Sequence, residues 1–187
     1  AASDDSTIAI LCRARGHLPQ LLKQLHFQNI SWQATDIDPL ANTAVVMDLL
    51  SMLEVLVHPD IRQPWIALLR SPMCGIELAE MLDFTGENFL QKIEHAEYAS
   101  IRRLHGAFVW ARTRLYDVTM REVLEGFWLR SGGLDAYFSD EIENALDFFR
   151  FLDEQALAWP DLNALQLAVQ RLFARPTVGA RQVPAIP

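Results

Sequence analysis

The sequence predicts a mainly α protein that carries a small βαβ segment at its N-terminus. Three observations predict it. From Ala44 almost to the end, apolar residues recur at helical spacing. Near the start, the run Ile8-Ala9-Ile10-Leu11-Cys12 shows no polar alternation, as expected of a strand buried on both faces of a parallel sheet. At 187 residues and 51% hydrophobic, the chain is long and apolar enough for one ordinary domain with an appendage.

The elements follow in order. Residues 1–6 read as a linker. After the apolar run, Pro19 suits a first helical turn, and Leu18, Leu21, Leu22 and Leu25 share a face. Residues 31–35, "SWQAT", read as the returning parallel strand. Residues 1–37 thus form a strand-helix-strand segment, and residues 38–175 a helical body of about eight helices. In that body Val46, Leu49, Leu50, Leu53 and Val57 make one stripe that stops at Pro59. Three capping-box patterns open later helices: Asp60 with Gln63, Thr119 with Glu122, and Asp140 with Glu143. Between the first two, "CGIELAEML" begins a short helix, "ENFLQKIEHA" makes another, and Ser100 to Tyr116 a longer one. The helix opened by Thr119 buries Val123, Leu124, Phe127 and Trp128 before Gly132-Gly133 ends it. The next buries Ile142, Ala145, Leu146, Phe149 and Leu152, and the last starts behind Pro160-Asp161. Residues 176–187 are an extended tail with three prolines. The apolar strand predicts an open edge, to be covered by another copy of the chain or by the tail near Val183 to Ile186.

The charge and motif content narrows the function. A net charge of −8 argues against a freestanding nucleic-acid binder but leaves room for one small phosphate-contacting patch. Two cysteines are too few for a disulfide framework and point to a cytoplasmic setting. No apolar stretch approaches the roughly 20 residues that span a bilayer. The chain contains no GxxxxGK[ST], GxGxxG, HExxH, CxxC or GxSxG motif, and its five histidines lie on different elements. No catalytic, metal-binding or cofactor-binding residue is therefore assigned.

Two groups of arginines stand out. Arg13 and Arg15 follow the apolar strand at its carboxyl end, where open α/β sheets place ligands; they either face one or solvate the strand's exit. Arg102, Arg103, Arg112 and Arg114 form the local concentration of basic charge, and Arg103, Trp110 and Arg114 share a helical face. This cluster is either a phosphate or single-strand contact, or a solvated face paired with Glu94 and Glu97.

The order of these pieces resembles UvrD/Rep-type superfamily 1 DNA helicases, closest to the branch with the helicase subunits of bacterial ATP-dependent exonucleases. The landmarks are Ile10-Leu11-Cys12-Arg13, the helix over Val45 to Val57, and Arg70-Ser71-Pro72-Met73-Cys74-Gly75-Ile76. They match that family's "ILxR" strand, the long first helix of its 2B insertion and its "TP.RGIG" turn. Motif-level likeness covers the first seventy or so residues and element order covers residues 7–175. The resemblance implies part of a RecA-like α/β domain followed by a helical 2B-like subdomain. It implies DNA as partner, along with the remaining helicase subdomains, and ATP and Mg²⁺ bound elsewhere in the parent protein. It places Arg13 near the single-strand track, although Ala14-Arg15-Gly16-His17 stands where the family has a serine-rich continuation, and it places Gly75 and Ile76 in a turn that approaches duplex phosphates. The family's second glycine is Glu77 here, whose carboxylate repels phosphate. The alternative reading of the same helices is a protein-interaction module with no nucleic-acid role.

Overall fold

The computed structural model describes residues 8, 10, 18–28, 30, 32–33, 39–84, 88–154, 162–172 and 178–179. The protein is mainly helical and forms two compact units, residues 1–37 with 176–187, and residues 38–175.

In the first unit, α1 (Leu18–Phe27) carries Pro19 in its first turn, where the missing N–H costs nothing. The predicted βαβ unit is not seen. β1 (Trp32–Gln33) pairs antiparallel with β2 (Val178–Gly179), in the register Trp32↔Gly179 and Gln33↔Val178. The expected parallel return is therefore replaced, within the described residues, by an antiparallel bridge to the tail. Ile8 and Ile10 lie outside any strand and are 88% and 53% exposed, against the expected burial on both faces. A buried parallel strand needs hydrogen-bonded neighbours on both edges, and the described residues provide none beside it. Residues 11–17 and 183–186 lie outside the described residues.

The second unit is built around α2 (Ala44–Val57). The predicted stripe understates it: Val45, Val46, Leu49, Met52, Leu53, Val55 and Leu56 are all buried, so the helix is apolar nearly all round and is central. Around it pack α3 (Arg62–Arg70), α5 (Ala99–Arg112), α6 (Met120–Arg130), α8 (Ser139–Glu154) and α9 (Leu162–Val169). The short α4 (Phe89–Glu94) lies against α5, and the four-residue α7 (Gly133–Ala136) follows α6. The amide of Leu40 donates to the carbonyl of Leu172 (2.8 Å), which ties the start of this unit to its end.

Helix boundaries separate local from tertiary control. At Thr119 the capping box forms: Thr119 Oγ1 accepts from Glu122 N–H (3.2 Å), and Glu122 Oε2 accepts from Thr119 N–H (2.9 Å). The other two boxes do not form. α3 begins at Arg62, after a turn in which Ile61 N–H donates to His58 O, so Asp60 lies outside the cap position. α8 begins at Ser139, which puts Asp140 inside the helix. The expected helix after Gly75 is a single 3₁₀ segment, Glu80–Phe84. On α8 the core side is Asn144, Ala145, Phe148, Phe149, Phe151 and Leu152, while Leu146 faces solvent. No helix among the described residues is long and apolar enough to cross a membrane.

Candidate functional site

Two of the sequence-predicted site residues, Gly75 and Ile76, lie in the turn that ends α3. Gly75 has φ +65°, a conformation that costs other residues roughly 1–2 kcal/mol. A Cβ at that position would touch nothing within 4 Å, so the dihedral angle rather than space calls for glycine. The turn closes on itself. Cys74 and Gly75 N–H both donate to Ser71 O (3.0 and 2.8 Å), Ile76 N–H donates to Leu69 O (3.0 Å), and Glu77 N–H donates to Glu80 Oε2 (3.0 Å). Every amide from Cys74 to Glu77 is engaged, and Ile76 is buried as the turn's apolar anchor. In this conformation the turn presents a phosphate with no unengaged N–H from those residues.

Arg103 holds the turn to α5. Its Nη2 donates to Met73 O (3.0 Å), beside Ser100 Oγ, which donates to Cys74 O (3.1 Å). Its guanidinium lies over Gly132, where a Cβ would come within 2.8 Å of Cζ. Burial pushes the Cys74 thiol up to about 12, with Arg103 partly countering, so this sulfur is no nucleophile at neutral pH.

The other arginines divide by what they touch. Arg102 donates to the carbonyls of Ala96 (3.4 Å) and Glu97 (2.6 Å), and Arg112 to Leu56 O (2.6 Å). The expected pairing with the carboxylates of Glu94 and Glu97 is not found; backbone carbonyls take that place. Arg114 does something else. Its guanidinium lies 4.6 Å from the centroid of the Trp110 ring, and that of Arg130 lies 4.3 Å from the same ring. Arg114 also donates to Trp110 O (3.3 Å) and Thr113 Oγ1 (3.2 Å).

The backbone explains how the ring reaches both. α5 and α6 run antiparallel, joined by a turn in which Tyr116 has φ +75°. Trp110 therefore meets Gly126 while Arg103 meets Gly132. A Cβ at 126 would fall 2.2 Å from Trp110 Cη2, so glycine is what lets the ring lie against α6. Each guanidinium gains about 0.5–1 kcal/mol from the ring face at an exposed site, which offsets the repulsion of two like charges on one aromatic. The ion pairs among the described residues are Arg121–Glu125, Arg121–Asp153 and Arg150–Asp147; none neutralises Arg114 or Arg130.

Arg130 is the residue that sequence reasoning misses. Nothing local joins it to Trp110, twenty positions away on another helix. The signal within reach was Gly126, an otherwise unexplained glycine inside a helical stripe. Arg13 and Arg15 lie outside the described residues.

A part-buried polar pair stands apart from this face. Tyr137 Oη donates to Asp48 Oδ2 (2.6 Å), fixing the end of α7 to α2. Burial pushes the Asp48 carboxyl up to about 6; the Tyr137 hydrogen bond opposes the rise and the charge of Glu141 adds to it. Burial and the Asp48 charge hold the Tyr137 hydroxyl above its ordinary value.

No family model matches the chain, and no curated protein matches it at a significant level.

Proposed function

We propose that this chain is the helical, DNA-facing subdomain of an ATP-dependent DNA helicase or helicase-nuclease of DNA repair and recombination, and that Arg114 and Arg130 contact DNA phosphates. The observation that carries the proposal is the pair of guanidiniums gathered on Trp110, with no ion-pair partner among the described residues, on a chain of net charge −8. Acidic proteins repel nucleic acid over most of their surface, so a concentrated cationic spot defines where contact can occur. The order of elements supports the same reading: a 14-residue helix, then a helix ending at Arg70, then a left-handed glycine turn, as in the family the sequence resembles.

The division of labour follows from the geometry. With the amides of Cys74 to Glu77 engaged internally, phosphate contact falls to side chains. Arg103, Ser100 and Cys74 brace the turn against α5, and Trp110 and Gly126 position the arginine pair. A phosphate that meets either guanidinium accepts charge-assisted hydrogen bonds from it. ATP and Mg²⁺ belong to other parts of the proposed parent protein, a cytoplasmic motor whose remaining subdomains would be the partners of this one. The residues described here carry no catalytic step.

The test is equilibrium binding of a fluorescently labelled single-stranded oligonucleotide and its duplex to the full 187-residue chain at low salt. Weak, saturable binding is expected, lost in the Arg114→Glu/Arg130→Glu variant with unchanged circular dichroism. Binding that survives this double charge reversal contradicts the proposal.

A further inference from the structure

The far side of α3 carries a second feature, independent of the arginine pair on Trp110. Arg62, Ile66 and Arg70 recur at four-residue intervals and so line one side of the helix. Opposite them stand Leu78, Ala79, Met81 and Leu82, and the trough between has a volume of about 680 Å³. Its floor is apolar, and Leu78 and Leu82 are 73% and 70% exposed. Eight residues of helix separate the two arginines by about 12 Å along the axis, so the trough is apolar with a cation toward each end of its α3 wall.

Those cations have no carboxylate partner among the described residues: neither Arg62 nor Arg70 belongs to an ion pair there. Arg62 Nε is moreover buried with no hydrogen-bond acceptor among the described residues. Glu80, on the 3₁₀ segment opposite, is already engaged: it accepts from Tyr98 Oη (3.0 Å) and from Glu77 N–H (3.0 Å).

We propose that this trough docks an acidic amphipathic helix of a partner protein, with its apolar face on Ile66, Leu78 and Leu82 and carboxylates two helical turns apart meeting Arg62 and Arg70. The charge pattern selects the occupant. An apolar trough alone accepts any hydrophobic segment, whereas cations about 12 Å apart match residues i and i+7 or i+8 of a helix. A second copy of this chain is the competing occupant, and concentration-dependent association separates the two.

The probe is a synthetic amphipathic helical peptide of about 18 residues, with leucines at i, i+3 and i+4 spacing and flanking glutamates two turns apart, titrated onto the full chain by fluorescence anisotropy. A matched peptide carries lysine for each glutamate. The glutamate peptide is expected to bind at least about tenfold more tightly than the lysine peptide. Leu78→Asp, at an exposed position that leaves the fold intact, is expected to abolish binding, and Arg70→Glu to reverse the preference between peptides. Equal binding of both peptides, no binding of either, or glutamate-peptide binding that survives Leu78→Asp overturns the proposal. So does sedimentation showing a dimer that Leu78→Asp dissolves, because the occupant would then be a second copy. Arg114→Glu/Arg130→Glu is expected to leave peptide binding unchanged, so failure here and failure of the DNA reading are distinguishable.

Discussion

Asp48 is where a single side chain has the clearest consequence. Its carboxyl, ordinarily near 4, is raised to about 6 in the fold, chiefly by burial. Between those values the folded state binds more protons than the unfolded state. The slope of stability with pH from this group is then negative: stability rises as pH falls from 6 toward 4 and is lost as pH rises through 6. Asp48→Asn keeps an acceptor for the Tyr137 hydroxyl and removes the titration. Denaturant unfolding at pH 7.5 and pH 5 is expected to show wild type gaining stability relative to the variant on acidification, on the order of 1 kcal/mol. Parallel pH profiles would contradict the burial argument. No sequence pattern marked this group: an aspartate among the apolar residues of α2 becomes half-buried because that helix is surrounded, a property of packing.

Helices show how far local information reaches. The capping box at Thr119 was legible because both of its hydrogen bonds lie within four residues and α6 begins where the pattern says. Thr119→Ala is expected to lower stability by about 1 kcal/mol, read as a drop in the denaturant midpoint at unchanged slope. An unchanged midpoint would mean that packing alone sets the start of α6. The pairs Asp60/Gln63 and Asp140/Glu143 have the same spelling but miss their registers. Before α3 the His58–Ile61 turn intervenes and Pro64 occupies the first helical turn; before α8, buried Tyr137 pins the chain and the helix starts at Ser139. Periodicity likewise found the apolar residues of α2 and α8 but not their full arcs, since Phe148 and Phe151 face neighbours that no local pattern identifies. The apolar run at Ile8 and Ile10 reads as a buried strand by composition, yet burial of a strand depends on its neighbours.

At the scale of the whole molecule, the mainly helical class was readable because helical spacing recurs over most of the chain. The candidate site was readable only in half. Trp110 and Arg114 share a face of one helix, but Arg130 joins them through the antiparallel pairing of α5 with α6 and the bare backbone at Gly126. This pair, on a chain of net charge −8, is proposed to contact DNA phosphates. The most direct test is the salt dependence of single-stranded DNA binding, because the slope counts the phosphates neutralised. Two contacts predict log K falling with log salt at a slope of about −1.4, and Arg130→Ala, which removes one, predicts about −0.7. A slope that Arg130→Ala leaves unchanged would contradict the claim, because the contact would then lie elsewhere on the molecule.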